Sequence, residues 1–358
     1  MEKTNAFEKI KIKNIEFKNR IVRSATNEHL GDFDGTITDD YIKVYDSLSK
    51  NDVGLLITSQ LSVNKNQRAD ITHICVDNLK NIEKFKLLTS TVHNNGSKII
   101  GQISYGGHRA NNIQNHIAKT PSGIDNSVAM TIEDINICIQ DYVSAVKILQ
   151  ETGFDGAQLH VAHQYLLSEF LDPFYNKRTD SYGGTIENRY RIIHELLEEI
   201  KKIINPDFLI TVKLNVTSKD SNYKDFFNDQ IQVCKWLEQD GVDAIEISGC
   251  DYLNFNQSTP YYLDSALKIK YEISIPIILV GGFRDINQIK KALNCGIDFV
   301  SMCRPFIAEE NFIEKLKNNE KSKCINCNKC FEIFKTKHTR CVFRNDVIPQ
   351  LEKNFPNT

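Results

Sequence analysis

Short runs of apolar and β-branched residues alternate with segments of helical periodicity along this chain, and this alternation constrains the fold most. Eight runs have the length and composition of strands, at 21–25, 53–59, 98–104, 156–160, 209–215, 244–248, 276–282 and 298–302. Strands separated by helices predict βα units and a parallel sheet. Eight such units favour a closed (β/α)8 barrel over an open doubly wound sheet. The G-x-G-x-x-G fingerprint of a dinucleotide-binding sheet does not follow the first strand.

The helices between these strands are marked by their periodicity and by their ends. Thr131 and Asp134 form a capping-box pattern at the start of one helix, which stops before Gly153. With three further segments that repeat the apolar face, the predicted helices are 131–150, 187–204, 228–239 and 285–294. We predict that residues 1–317 form the barrel and that residues 318–358 form a short C-terminal tail.

Composition and charge exclude several classes of function. The chain is 41% hydrophobic and 25% charged, as an ordinary globular protein is. A net charge of −2 provides no electrostatic footprint for nucleic acid or for an anionic membrane. The first residues lack the apolar stretch of a signal peptide, and no later stretch is long enough to span a bilayer. We expect a cytoplasmic protein, and the sequence leaves open whether it forms a homo-oligomer.

Glycines and an arginine at the last two predicted strands indicate a phosphate site. Gly281 and Gly282 end the seventh strand, and Cys303 and Arg304 follow the eighth. In a (β/α)8 barrel the loops after strands 7 and 8 are the usual phosphate-binding place. Glycines let backbone N–H groups approach the oxygens, and arginine can bind them with two hydrogen bonds. Each feature alone is equally compatible with a plain turn or an exposed charge.

The fourth strand ends in a polar cluster of His160, His163 and Tyr165. Two histidines at this spacing also suit a metal, but a metal site needs further ligands, and no acidic residue is placed at a matching strand end. We therefore interpret the cluster as a site for a substrate oxygen. Gln102 on the third strand and Lys213 on the fifth suit the pyrimidine edge of a flavin, which offers N–H and C=O groups and a developing negative charge.

A long motif that begins at Gln158 carries a family resemblance. The segment QLHVAHQYLLSEFLDPFYNKRTDSYGGTIENRYR closely resembles the signature of the Old Yellow Enzyme family of NAD(P)H:flavin oxidoreductases. Shorter segments that look like this family stand at 19–26, 34–38, 53–58, 101–109, 211–215, 278–283 and 301–306. The resemblance extends over roughly residues 8–315, which is nearly the whole predicted barrel.

The resemblance implies an FMN enzyme that takes electrons from NADH or NADPH and reduces the activated C=C bond of a small molecule. It assigns His160 and His163 to the substrate oxygen and Tyr165 to proton donation. Asn27 and Gln60 depart from the family pattern, although Gln60 still stands beside the expected flavin. The residues predicted to bind FMN are Ser24, Ala25, Thr26, Gln60, Gln102, Lys213, Gly281, Gly282, Cys303 and Arg304.

The predicted tail carries a second motif, formed by Cys324, Cys327, Cys330 and Cys341. The spacing suits a [4Fe–4S] cluster or a tetrahedral zinc ion, and free thiols in a relic motif are the alternative. The motif resembles that of dienoyl-CoA reductase and 2-enoate reductase relatives, which also carry an FAD and NAD(H) domain for which this chain has no room. Two other functions remain open: a subunit fed electrons by a partner flavoprotein through an Fe–S centre, and a non-catalytic FMN-binding redox sensor. An intact proton donor argues against the sensor.

Overall fold

Eight parallel strands form the centre of the computed structural model, which describes residues 5–112, 117–124, 126–220, 222–251, 259–332 and 338–344. The strands are β1 (Ile21–Arg23), β2 (Leu55–Ile57), β3 (Lys98–Ser104), β4 (Gly156–Val161), β5 (Leu209–Asn215), β6 (Ala244–Ser248), β7 (Ile277–Val280) and β8 (Phe299–Met302). Each strand pairs with its neighbours in chain order, and the pairing of β8 with β1 closes the barrel. The (β/α)8 prediction is confirmed.

Eight helices follow the strands and pack around them. They are α1 (Asp39–Lys50), α2 (Asn81–Asn94), α3 (Ile132–Glu151), α4 (Ile186–Lys201), α5 (Phe226–Gln239), α6 (Leu263–Glu272), α7 (Ile286–Asn294) and α8 (Phe312–Lys317). Shorter helices cover Leu166–Leu171, Arg304–Ala308 and Lys329–Glu332, and 3-10 turns cover Lys65–Gln67 and Gly107–Asn112. The expected boundary between barrel and tail falls where α8 ends, and it stays a prediction.

The start of α3 shows how local sequence sets a helix boundary. The Thr131 hydroxyl accepts a hydrogen bond from the Asp134 N–H at 3.1 Å, and the Asp134 carboxylate accepts one from the Thr131 N–H at 3.0 Å. This reciprocal cap satisfies two N–H groups that the helix itself cannot, which is worth about 1 kcal/mol. The helix ends before Gly153, whose φ of 86° is a left-handed conformation that favours glycine.

The amino ends of the strands are closed by an antiparallel hairpin, Ile10–Ile12 with Ile15–Phe17. Phe17 packs edge-on against Phe299, the first residue of β8, with ring centroids 5.4 Å apart. These side chains belong to a buried cluster inside the barrel, separate from the larger core between strands and helices. The barrel is therefore filled at this end, and the carboxyl ends of the strands are left to form a site. Among the described residues, no helix is long and apolar enough to cross a membrane.

Candidate active site

A cavity of about 380 Å³ lies at the carboxyl ends of the strands. Every residue that the sequence predicted for the flavin or the substrate lines it. These are Ser24, Ala25, Thr26, Gln60, Gln102, His160, His163, Tyr165, Lys213, Gly281, Gly282, Cys303 and Arg304. The tertiary structure thus brings together residues from seven of the eight strand ends, although their roles stay predictions.

A buried polar network forms one wall of this cavity. The register of the barrel places Lys213 opposite Glu246, and the ammonium lies 3.3 Å from the Glu246 carboxylate. Lys213 also donates a hydrogen bond to the Ser24 hydroxyl at 2.8 Å. Gln102 donates to Gln158 at 2.7 Å, and Gln158 donates to Glu246 at 3.2 Å. All five side chains are buried, so each charged or polar group has its partner inside the protein.

Sequence reasoning missed Glu246 and Gln158. Glu246 is fully buried in the run Ala244–Ser248, whose other residues are apolar or small. A charged residue in the middle of such a strand was the available signal, because ionised side chains are almost never fully buried unless they are paired. Its partner could not be read from the sequence, since Ser24, which donates to Glu246 at 2.7 Å, is 222 residues away.

The cavity end at which the sequence predicts a phosphate, the phosphate end, is formed by the loops after β7 and β8. Gly281 and Gly282 have φ angles of 102° and 87°, and a side chain at Gly282 would lie 1.6 Å from the carbonyl oxygen of Thr259. Only glycine fits this turn. Arg304 starts the short helix after β8, and Arg284, which the sequence reasoning missed, follows the two glycines in the same loop. Burial lowers the pKa of Arg284, and the nearby Arg304 cation acts in the same direction.

The cysteine-containing tail lies against this phosphate end. Arg284 donates to the Cys324 carbonyl at 3.1 Å and to the Asn326 side chain, while Arg304 donates to the Asn328 side chain at 2.7 Å. Both asparagines have left-handed backbones, with φ angles of 60° and 59°. Asparagine tolerates this conformation better than most side chains do. The residues between the cysteines therefore orient two arginines at the cavity end where the sequence predicts a phosphate.

At the opposite end of the cavity, His160, His163 and Tyr165 lie together. The His160 ring is 4.6 Å from the Tyr165 ring and 5.3 Å from the His163 ring, measured between centroids. Nε2 of His163 lies 2.9 Å from the Ser248 hydroxyl, which orients that ring. Nδ1 of His160 is buried and has no hydrogen-bond partner in the described part of the chain. A catalytic role or an ordered water or ion is the usual explanation for a buried polar atom of this kind, and here the atom lies in a residue that lines the cavity.

The backbone that presents this cluster is strained. His163 and Gln164 are consecutive residues with positive φ angles, 57° and 63°. Left-handed backbone costs roughly 1–3 kcal/mol for each residue other than glycine and concentrates at functional sites. The turn lets Tyr165 begin the helix Leu166–Leu171 beside His160.

The electrostatic environment keeps the histidines neutral. Burial lowers the pKa of His160 and of His163 well below the usual value of 6.5. The nearby Lys213 and Arg109 cations act in the same direction on both rings. Each neutral imidazole keeps one N–H group and can donate one hydrogen bond without carrying charge.

Loops 1 and 2 add a third histidine, which sequence reasoning missed. The His73 ring lies 3.0 Å from the Asn27 side-chain nitrogen and 3.2 Å from that of Gln60. Burial lowers the pKa of His73 to about 4. Gln60 and Asn27, the two departures from the family pattern, are thus joined by one neutral ring.

The four tail cysteines are not gathered into a metal-binding group within the part of the chain that the structure describes. Within the described residues, no three His, Cys, Asp or Glu side chains are close enough to hold a metal ion. Cys324, Cys327, Cys330 and Cys341 are all free thiols. Burial raises the pKa of Cys330 to about 12, and the neighbouring Cys303 and Cys324 thiols act in the same direction. The predicted metal site therefore stays a prediction.

The chain matches the model of the NADH:flavin oxidoreductase / NADH oxidase family over residues 5–323. It is 30% identical to the NADPH dehydrogenase of Bacillus subtilis (strain 168) over 317 residues, which cover 86% of this chain and 92% of that protein. It is also 30% identical to the NADH oxidase of Thermoanaerobacter brockii over 346 residues, which cover 90% of this chain and 53% of that protein.

Solved structures similar to this chain support the same relationship. A 2-naphthoyl-CoA reductase complex matches with a TM-score of 0.83 and 25% identity over 91% of this chain and 54% of the other. The Old Yellow Enzyme from Pichia sp. AKU4542 matches in fold with a TM-score of 0.77 and 24% identity over 89% of this chain and 88% of the other. The chain thus spans about half the length of the Thermoanaerobacter protein and of the reductase. It belongs to the NADH:flavin oxidoreductase / NADH oxidase family, as its resemblance to the Old Yellow Enzymes predicted.

Proposed function

We propose that this protein binds FMN and uses NADH or NADPH to reduce the C=C bond of a small activated alkene. One hydride and one proton add across the double bond, and NAD(P)H becomes NAD(P)⁺. The observation that carries the proposal is the cavity itself, which joins a glycine and arginine phosphate end to a neutral histidine pair with a tyrosine.

The residues fit FMN at both ends of the molecule. Gly281, Gly282 and Arg304 would hold the phosphate, with Arg284 beside them. Gln102 and Lys213 would meet the pyrimidine edge, and the paired Lys213 cation would favour negative charge there. When bound, FMN supplies the hydride chemistry, while the protein supplies binding, orientation and electrostatics.

The two histidines would bind the carbonyl or nitro oxygen that activates the alkene. Two neutral N–H donors directed at one oxygen stabilise the negative charge that develops on it during reduction. Such a donor is worth about 3 kcal/mol in a site that excludes water. His160 is buried, His163 is half-buried, and both rings are neutral, so they can donate to the oxygen without adding a positive charge to the site.

Tyr165 would supply the proton. Its ring lies 4.6 Å from that of His160, so its hydroxyl group belongs to the same part of the cavity as the oxygen-binding pair. A positioned general acid contributes a factor on the order of 10²–10⁴. Hydride adds to the β-carbon, and the proton goes to the α-carbon, which bears the activating group, so the proton donor is expected next to the histidines that bind that group.

The test separates the two half-reactions of the holoenzyme. The purified protein should be yellow and should release FMN on denaturation. Tyr165→Phe should slow alkene reduction by about 10²-fold or more while NAD(P)H still reduces the flavin at a normal rate. Tyr271→Phe is the matched control, because Tyr271 is 89% exposed on α6. An equal loss in both half-reactions would show that Tyr165 is structural, and a colourless protein that takes up no FMN would refute the proposal.

The cysteine motif supports only a separate proposal. Cys324, Cys327, Cys330 and Cys341 would hold a [4Fe–4S] cluster or a zinc ion, but the described residues do not form such a site, and no step of the reaction is derived from it. Iron, sulfide and zinc analysis after anaerobic purification tests this. If the protein is instead a subunit that receives electrons from a partner flavoprotein, NADH and NADPH alone will not reduce its flavin. If it is a redox sensor, no alkene will reoxidise its reduced flavin.

A further inference from the structure

We infer that Arg109 binds a carboxylate group on the substrate, so that the preferred alkene is an enone or enal that also carries a carboxylate. This assignment rests on the proposed function and names the substrate class for the same cavity. Arg109 has no role in the proposed binding of FMN or in the proposed transfer of hydride and proton.

Arg109 is placed beside the proposed reaction centre. It lies in the turn Gly107–Asn112 after β3 and lines the cavity. Its guanidinium carbon is 5.4 Å from the centre of the Tyr165 ring, which is in turn 4.6 Å from the His160 ring. Tyr165 therefore has the oxygen-binding histidine on one side and a permanent cation on another. A substrate held by the histidines would extend past the tyrosine toward this cation.

The other cations of the cavity already have a use. Lys213 is paired with Glu246. Arg284 and Arg304 lie at the phosphate end, where the tail orients both, and their two positive charges match a phosphate dianion. The acidic residue of the cavity, Asp70, accepts hydrogen bonds from Thr72 and lies 3.4 Å from His29. Among the described residues that line the cavity, no carboxylate is left to pair with Arg109.

The hydrogen bonds of Arg109 leave its guanidinium without an anionic partner among the described residues. Nη2 donates to the neutral amide oxygen of Gln164 at 3.2 Å, and in the described part of the chain no ion pair involves Arg109. Its Nε is buried without a hydrogen-bond partner there. Leaving a buried donor of a charged group unpaired is expensive, so the arrangement is typical of a group that meets its partner in a complex.

A carboxylate is the group that best fits this donor. The planar guanidinium presents two parallel N–H groups, and a carboxylate accepts them with two oxygens. Binding at Arg109 would fix one end of the substrate while the histidines fix the carbonyl oxygen. Two-point attachment orients the double bond, and orientation contributes strongly to catalysis.

The experiment compares 4-oxo-2-pentenoate with its methyl ester, which differ in one negative charge. The FMN enzyme is reduced chemically, so that nicotinamide binding plays no part, and its reoxidation by each alkene is followed by stopped flow. The wild type should prefer the acid. Arg109→Gln should lower the apparent second-order rate constant for the acid about 30-fold, which is roughly 2 kcal/mol at 1.4 kcal/mol per factor of ten. The rate constant for the ester should change less than about 3-fold. Arg109→Lys should recover part of the lost rate with the acid, because lysine keeps the positive charge but not the planar guanidinium.

A control variant and a binding measurement complete the test. Lys147→Gln removes the same charge from an exposed position on α3, where the side chain is 64% exposed, and should leave both rates unchanged. Calorimetric titration of the oxidised holoenzyme with 4-oxopentanoate should show weaker binding to Arg109→Gln than to the wild type. If Arg109→Gln does not retain FMN, the assignment is tested on the wild type by the ratio of its rate constants for the acid and the ester. This ratio should exceed one and should fall as salt is added.

The outcomes that overturn this assignment differ from those that overturn the proposed function. A wild type that reduces the ester as fast as the acid, or an Arg109→Gln variant with an unchanged acid-to-ester ratio, refutes the carboxylate site alone. A variant that keeps the ratio but is reduced slowly by NADPH shows that Arg109 binds a phosphate of the nicotinamide cofactor instead. A wild type that reduces neither alkene refutes the proposed function itself.

Discussion

The two ends of the cavity differ in whether their polar groups already have hydrogen-bond partners within the protein. At the phosphate end, Arg284 and Arg304 are held by the tail through Asn326 and Asn328. At the opposite end, Nδ1 of His160 and Nε of Arg109 are buried without partners among the described residues. A group whose orientation is fixed by the protein suits a ligand that stays bound, whereas unpaired donors suit a ligand that arrives and leaves. This difference supports our proposal that one end binds the cofactor and the other binds the substrate.

The strongest test of this comparison removes the histidines. His160→Ala and His163→Ala should each lower the rate of alkene reduction by about 10²–10³, because each removes a donor to the developing negative charge. FMN affinity should change by less than about 3-fold, since these residues belong to the substrate end. Stopped-flow reoxidation and FMN titration measure the two quantities. Comparable losses in rate and in FMN affinity would mean that the two ends are not separate.

A smaller effect is expected where the tail meets the arginines. Asn326→Gly with Asn328→Gly removes both side-chain acceptors but permits the left-handed backbone of these positions. We expect the Kd for FMN to rise about 30-fold, because the two arginines lose hydrogen bonds worth roughly 1 kcal/mol each. The rate of alkene reduction at saturating FMN should stay within about 2-fold, since no residue of the substrate end is changed.

Asn319→Gly is the control for this pair. Asn319 is also in the tail and has a φ of 59°, but its side chain is exposed and, among the described residues, accepts no hydrogen bond from Arg284 or Arg304. Its FMN affinity should match the wild type. An equal weakening in the control would attribute the effect to tail flexibility instead of to the arginine contacts.

The smallest expected effect concerns the neutrality of the substrate end. The pKa of His73 is lowered from 6.5 to about 4, so the unfolded chain binds this proton before the folded one as the pH falls. Stability is therefore lost between pH 6.5 and about 4, by at most about 1.4 kcal/mol per pH unit for this group. Between pH 7.5 and 5.5, urea unfolding of the holoenzyme should show about 1 kcal/mol less destabilisation in His73→Gln than in the wild type. His194→Gln, which changes a side chain that is 49% exposed, is the control, and its loss of unfolding free energy between these pH values should equal that of the wild type. An equal loss in the wild type, His73→Gln and His194→Gln would contradict the lowered pKa of His73.

Much of the fold could be predicted because its signals are local. The strands Lys98–Ser104, Leu209–Asn215 and Ala244–Ser248 have the predicted bounds, since each run carries its own apolar composition and ends at polar or small residues. The strand predicted at 276–282 is shorter, Ile277–Val280, because Gly281 and Gly282 turn the chain out of the sheet to form the phosphate loop. The missed residue Arg284 lies in that same loop.

The sequence by itself determined the alternation of strands and helices, the caps, and the set of side chains at the strand ends, because periodicity and turn chemistry act over a few residues. Only the tertiary structure decided how these side chains are paired. Glu246 accepts a hydrogen bond from Ser24 across the barrel, and the tail asparagines accept hydrogen bonds from Arg284 and Arg304. Arg109 lies beside Tyr165 with no carboxylate partner among the described residues that line the cavity. Such pairings depend on the closure of the barrel and on the path of the tail, which bring together residues that are distant in the chain. No local pattern encodes them, and they determine which polar groups remain for a ligand.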